Sequence, residues 1–394
     1  MKRMRLAIIT THPIQYQIPW FRALTMHPEV DLQVFFCHRA TQQEQAAAGF
    51  GVNFDWDIPL LEGYSYRFLR NVAEKPSIHT FAGLDTPEIA EIIEKERFDA
   101  VIVNGWNFKS AWQAFRACWR TGTPLMARGD SHLYTSRSSV KKISKWPFYR
   151  WFIPKLDACL AVGKWSREYY LHYGAREERV FFVPHVIDDN FFDRESGRLL
   201  PLRSELRREW KLEEGDTVFL FAGKFIQKKR PMDFVRAIQG ARNSGAQAMG
   251  LMIGDGPLRA QCESYVQEHH LPVRFAGFLN QSQIARAYVA ADALVLASDG
   301  GETWGLVVNE AMACGRPCFV SDQVGSGPDL IVKGETGAIF PMGNIEALAE
   351  LLALSAADLS RLKEMGKRAK EMARKHSTQA AVEGVVQAIS AVSE

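Results

Sequence analysis

Short, nearly continuous apolar runs recur through the first half of the chain, at Arg5–Thr10, Val30–Cys37, Asp99–Asn104, Pro124–Arg128, Ala158–Val162 and Val180–Val183. Between them lie stretches whose apolar residues return at helical spacing. Apolar strands alternating with amphipathic helices describe a parallel sheet covered on both faces. The same alternation resumes at Thr217–Phe225 and continues through Met249–Pro257, Val273–Leu279, Ala293–Ala297 and on to Phe340. The expected fold class is therefore α/β, with two doubly wound, Rossmann-like parallel-sheet domains. Ligands of such sheets sit beyond the carboxyl ends of the strands, so the loops after strands are where chemistry is expected.

Between the two halves, Asp188–Asp216 is rich in charge and shows no strand pattern. It is the expected interdomain connection, with a helical portion from Leu202 to Leu212. The expected organisation is an N-terminal domain over 1–187, a hinge over 188–216 and a C-terminal domain over 217–375. A last Ala/Val-rich helical segment covers 376–394. A length of 394 residues suits two domains of under 200 residues each.

One segment concentrates the chemistry. Ser298–Pro317 reads Ser-Asp-Gly-Gly-Glu-Thr-Trp-Gly-Leu-Val-Val-Asn-Glu-Ala-Met-Ala-Cys-Gly-Arg-Pro. It leaves an apolar run, turns through glycines and enters a helical pattern that stops at Gly315. A loop opening a helix presents backbone N–H groups that attract phosphate. Glu302 and Glu310 bracket that point, and eight residues at helical rise span roughly 12 Å. That suits hydroxyls at the two ends of a nucleotide sugar, with the diphosphate between. A capped amphipathic helix with two solvated glutamates is the plain alternative.

This segment closely resembles the E-x7-E signature of retaining glycosyltransferases of the GT-B fold, family 4. The resemblance implies two domains facing across a cleft, the first receiving an acceptor and the second holding a nucleotide sugar. It implies that Glu302 lies beside the donor sugar and Glu310 binds the ribose hydroxyls, with Trp304, Gly305 and Leu306 between them at the donor. Gly223-Lys-Phe … Lys228-Lys-Arg resembles the family's Gly-Arg-Leu … Lys-Gly segment that clamps the diphosphate. Lys224 falls on the Arg position and Lys229 on the Lys position. Lys stands for Arg, and Arg230 stands for Gly. A Lys keeps the charge but loses the planar fork of a guanidinium. Gly254-Asp-Gly-Pro resembles the family's glycine turn, and Phe278 and Leu279 come after the strand whose loop receives the nucleobase. The final helix resembles one that crosses back to the first domain.

In the first half, three loops stand out. Thr10–Tyr16 carries His12, Gln15 and Tyr16 as candidate acceptor contacts, where many family members have a glycine pair; a capped, Pro-led helix start reads equally well. Asn104–Lys109 is the second. The third, Arg128–Leu133, holds Asp130 and His132, and either residue matches the family's active-site His near this strand end. Arg137–Lys155 contains six cations, five aromatics and no acid. That mixture suits an anionic lipid surface, and the aromatics equally suit packing of a helix on the sheet. Pro147 and Pro154 are expected to prevent one long helix.

Composition narrows the rest. A net charge of +3 gives no reason to expect nucleic acid. Six scattered cysteines form no zinc pattern, and no Asp-x-Asp stands after a strand to hold a divalent ion against diphosphate. No metal or tightly bound cofactor is expected, the UDP- or GDP-linked sugar being a co-substrate. No apolar run reaches the ~18 residues of a membrane span, and no leader pattern opens the chain, so a cytoplasmic protein is expected, peripheral at the membrane's inner face if 137–155 engages lipid. The implied activity is retaining, metal-independent transfer of a hexose-type sugar to a glycan or lipid-linked hydroxyl in envelope glycan or glycolipid synthesis. A catalytically silent nucleotide-sugar-binding subunit and another GT-B enzyme, such as a sugar-nucleotide epimerase, remain as alternatives.

Overall fold

The computed structural model describes residues 3–39, 55–134 and 139–393. The chain divides into two compact units, one built on residues 59–186 with the N-terminal strand and the C-terminal helix, the other on 187–376.

The first unit has, among the described residues, strands β1 (Met4–Thr10), β2 (Val30–Phe36), β3 (Tyr66–Phe68), β4 (Ala100–Asn104), β5 (Leu125–Gly129), β6 (Ala158–Ala161) and β7 (Val180–Phe182). They form one parallel sheet in the order β3-β2-β1-β4-β5-β6-β7. β1 shows why the apolar runs are unbroken. Ala7 and Ile9 enter the core on one face, Leu6 and Ile8 the core on the other. Successive side chains of a strand point to opposite faces, so a strand covered twice has no polar position to spare. The helix Thr378–Ser393 closes one of these cores with Ala381, Val382, Val385, Ala388 and Ile389.

The second unit carries β8 (Thr217–Ala222), β9 (Ala248–Ile253), β10 (Val273–Gly277), β11 (Ala293–Leu296), β12 (Cys318–Ser321) and β13 (Gly337–Phe340). They too are parallel, in the order β10-β9-β8-β11-β12-β13. In each sheet the order reverses once, between β1 and β4 and between β8 and β11. At such a point neighbouring loops leave in opposite directions and open a crevice.

Three expectations need correction. β3 was not among the expected strands; it has three residues, none of them buried, so no apolar run announces it. The segment 188–216 is mostly helix, Asp189–Leu199 and Arg203–Glu209, and clusters with the second unit. Phe192, Leu199 and Leu206 are buried there, as are the charged Arg207 and Asp216, so the charge-rich segment is packed rather than a bare connection. The α-helix Ser139–Phe152 runs through Pro147. Proline forfeits one backbone hydrogen bond, and the turn beyond it is anchored by the fully buried Phe152, packed on Phe115 and Trp112.

Asp292, just before β11, fastens those helices to the sheet. Its carboxylate accepts from the Val218 amide at 2.8 Å and from Arg203 Nη2 at 2.6 Å, and lies 3.5 Å from Arg207 Nη1. The side chains of Asp292 and Arg207 are 9% and 8% exposed. Removing one partner of a buried pair strands the other's charge. Asp292→Ala is expected to cost the second unit about 3–5 kcal/mol, read as an earlier urea transition; a transition at the wild-type midpoint would count against this role.

Candidate active site

β8 and β11, neighbours at the reversal of the second sheet, supply the loops that build a charged cluster. After β8 the chain turns at Gly223, passes Lys224 and forms a 3-10 turn over Gln227–Lys229 before the helix Pro231–Asn243. After β11 it runs through Ser298–Leu306 into the helix Val307–Ala313. The Asp299 amide donates to the Lys228 carbonyl at 2.9 Å, joining the two loops by backbone.

The side chains join them again. Lys229 Nζ donates to Glu302 Oε2, which also accepts from Ser298 Oγ at 3.2 Å; Lys228 Nζ stands 3.9 Å from Oε1. Glu302 is only 7% exposed. Burial pushes its carboxyl upward, yet Lys229 and Lys228, with the hydrogen bonds from Lys229 and Ser298, outweigh it and hold Glu302 below the ordinary carboxylate range. The cluster therefore keeps an ionised carboxylate. Lys224 experiences the reverse balance. Burial, then the charges of Lys229 and Lys228, bring its ammonium down to about 8, against the opposing pull of Glu302. The charges of Lys224, Lys228, Lys229 and Glu302 thus act on one another within one cluster.

Glu310 lies on the helix Val307–Ala313, and its Oε2 accepts from the Tyr288 hydroxyl at 2.6 Å. Burial raises its carboxyl to about 7, while the Tyr288 bond and the Lys229 charge work in the opposite direction. The helix has seven residues and begins five after Glu302, so the helical-rise separation of the two glutamates applies only to its second half.

The glycines permit this packing. Gly254, at φ +117°, would place a Cβ 2.0 Å from the Gly223 carbonyl oxygen, so the loops after β8 and β9 touch through bare backbone. Gly305, at φ +93°, would direct a Cβ to within 2.8 Å of Leu296 Cδ2. Trp304 is buried, its indole N–H donating to Asn309 Oδ1 at 2.9 Å, which engages that side chain inside the protein. Leu306 caps the helix and is half-buried; Phe278 and Leu279 come after the edge strand β10, also half-buried.

The first unit has its own cluster at strand ends. Asp130 lies just past β5 with its carboxylate 44% exposed and Oδ2 3.9 Å from His185 Nε2. Burial first, then Arg128, holds His185 neutral against the opposing influence of Asp130. Tyr16, on the 3-10 turn Gln15–Gln17, meets the His185 ring edge-on at 5.6 Å. Burial and Asp130 push the Tyr16 hydroxyl up to about 12, in spite of Arg128 and Gln17. Arg128 itself is buried and donates to the carbonyls of Val183 at 3.2 Å and Pro184 at 2.6 Å. Asp130, Tyr16, Arg128 and His185 thus stand together. His132 is 6% exposed and packs on Trp165 at 5.1 Å. His12 and Gln15 are half-buried, His12 Nδ1 lying 2.9 Å from Thr11 Oγ1.

Sequence reasoning had no role for Tyr288, Ser298, His185 or Arg128. Ser298 stood at the head of the glutamate-bearing segment, and His185 comes after a strand and a proline, which is a loop signal. Tyr288 sits inside an apolar helical pattern and carried no signal. Among the described residues, no three His, Cys, Asp or Glu side chains stand together as metal ligands, and all six cysteines are buried.

Comparison with known proteins agrees with this architecture. Residues 203–372 match the family described as "Glycosyl transferases group 1", and 31–191 match "Glycosyltransferase Family 4". N-acetyl-alpha-D-glucosaminyl L-malate synthase of Bacillus anthracis is 30% identical over 168 residues, spanning 43% of each chain. The crystal structure of a glycosyltransferase from Rickettsia africae superposes with a TM-score of 0.76 at 16% identity, covering 100% of this chain and 99% of that one. Anabaena HepE, solved with UDP and glucose, gives 0.68 at 16% identity, covering 98% and 100%. The two family matches together cover most of the sequence, and both sheets have the doubly wound order of that fold. The chain belongs to the GT-B glycosyltransferases of family 4 type.

Proposed function

We propose that this protein transfers a hexose-type sugar from a nucleoside diphosphate to a hydroxyl acceptor with retention of anomeric configuration. The observation that carries this reading is the set of ammonium groups of Lys224, Lys228 and Lys229 about an ionised Glu302, where the second sheet reverses. That site offers cations for a diphosphate and a carboxylate for the hydroxyls of the sugar joined to it.

In the proposed reaction the bond from the anomeric carbon to the diphosphate oxygen breaks and a bond to the acceptor oxygen forms on the same face. The acceptor proton passes to the departing phosphate oxygen, and the nucleoside diphosphate leaves. Charge grows on that oxygen in the transition state, and preorganised cations stabilise it most there. Lys224 and Lys229 take this role. Glu302 orients the sugar and Glu310 accepts from the ribose, with Gly254, Gly305, Leu306, Trp304, Phe278 and Leu279 around the donor. UDP and GDP are both candidate carriers, and the lysines take the place of a divalent ion. Asp130, or else His132, orients the acceptor hydroxyl, with His12, Gln15 and Tyr16 as acceptor contacts. Asp130 is the better exposed of the two.

A lipid-linked acceptor fits a feature of the first unit, and with it a cytoplasmic protein attached peripherally to the inner membrane face. On and just beyond the helix Ser139–Phe152, Trp146, Phe148 and Trp151 are 47%, 42% and 50% exposed, beside exposed Lys145, Arg150 and Lys155. Lys155 Nζ lies 5.1 Å over the Trp151 ring, and Arg150 Cζ 5.7 Å over Trp146. Tyr149 and Phe152 turn inward, so the aromatics divide between core and surface. Arg137 and the side chains of Lys141 and Lys142 lie outside the described residues. No helix among the described residues is long and apolar enough to cross a membrane.

Three outcomes are expected. NMR of the product formed from a UDP- or GDP-sugar should show retained configuration in the presence of EDTA, and Glu302→Ala should lower kcat about 100-fold, as misoriented substrates do. An inverted product or full loss of activity to chelator would overturn the reading. The second concerns pH. Glu310, raised to about 7, gains its charge and accepting power as pH climbs through that value; Lys224, lowered to about 8, loses its charge as pH climbs further. Donor kcat/KM should therefore rise through about 7 and fall through about 8, because this ratio reports the free enzyme's groups; a flat profile from pH 6 to 9 contradicts it. The third is sedimentation with anionic vesicles at low salt, weakening as salt screens the cations. Equal pelleting with neutral vesicles would reduce the helix to ordinary packing.

A further inference from the structure

We infer that Tyr288 is a positioning residue of the donor site, its hydroxyl holding Glu310 with one carboxylate oxygen committed and the other presented to the ligand. This rests on the donor-site reading of Glu310 above. The observation is geometric. Tyr288 belongs to the helix Ile284–Ala290, is fully buried, and donates to Glu310 Oε2 at 2.6 Å. Its ring meets the fully buried Phe192 edge-on at 6.2 Å. The phenol is therefore fixed from two helices of the second unit and offers a single rigid donor to a carboxylate on a third.

A glutamate side chain on a short helix has three rotatable bonds, and a free carboxylate would sample several directions. A hydrogen bond to a charged acceptor is among the stronger ones in a protein interior, and here it binds one oxygen at a fixed angle. Preorganisation of this kind lowers the ordering cost that a ligand would otherwise meet. The same bond favours the ionised carboxylate, which is the form that accepts hydroxyls. The other charged or titratable groups acting on this pair are Lys229 from the turn after β8, Cys314 at the end of Glu310's own helix and Cys318 on β12. The Lys370–Asp193 ion pair, at 2.6 Å, acts in turn on Cys314. Tyr288 is the neighbour that donates a hydrogen bond to Glu310.

The test uses the full-length protein with UDP and with GDP as probes, measuring Kd by calorimetry between pH 5.5 and 9. Tyr288→Phe removes only the hydroxyl. It is expected to move the acid limb of binding upward by about one pH unit, and so weaken Kd about tenfold below that limb, leaving the alkaline limb in place. In a Glu310→Ala background the same change should add nothing. 3-Fluorotyrosine at position 288, a more acidic donor with the native shape, should move the acid limb the other way and keeps the test open if Tyr288→Phe folds poorly. An acid limb that stays at its wild-type position in both variants overturns the inference, as does a full additional loss in the Glu310→Ala background. If Glu310→Ala alone binds both nucleotides as the wild type does, the donor reading of Glu310 falls, and the inference with it.

Discussion

Lys229 and Glu302 stand 73 positions apart in the chain and share an ion pair inside the protein. Each is carried by the loop of one of two neighbouring strands, β8 and β11, that flank the reversal of the second sheet. The pair closes the gap between these loops, with the Asp299–Lys228 backbone bond beside it. A buried carboxylate without such a partner would take up a proton, because desolvation penalises its charge. With Lys229 bonded and Lys228 near, Glu302 stays ionised. Burial first, then the charges of Lys229 and Lys228, lower the Lys224 ammonium to about 8.

The two glutamates of the site thus live in different environments. Glu302 is surrounded by cations and a hydroxyl; Glu310 has a phenol and a more remote lysine. Burial acts on both, and the partners decide the outcome, low in one and near neutrality in the other. Two carboxylates whose environments push them apart in this way are suited to different tasks on one ligand. In the first unit the comparable device is Arg128. Its guanidinium is spent on two backbone carbonyls beyond β7, and its charge helps to keep His185 neutral beside Asp130.

The fold itself was largely legible. Apolar runs with no polar alternation require a sheet covered on both faces, and the spacing of those runs left room for one helix between most pairs. The exceptions have physical causes. β3 has no buried residue and hence no apolar signature. The helix Asp189–Leu199 buries only Phe192, Ser196 and Leu199, so its charge dominated the pattern and it passed for a connection. The helix through Pro147 is held by packing of Phe152 that no local propensity reports.

For the site, the sequence by itself determined the residue types at strand ends: glycines where two loops meet through backbone, lysines after β8, and two glutamates after β11. These are local matters, set by the residues each turn can accommodate and by their place just past an apolar run. Only the tertiary structure decided partnership. That Lys229 reaches Glu302, that Tyr288 from a separate helix reaches Glu310, and that His185 stands beside Asp130 depend on strand order and helix packing. Those join residues 22 to 73 positions apart. Protonation depends on partnership, since a carboxyl's state is set by its burial and its nearest charges, and neither is written in the order of residues along the chain.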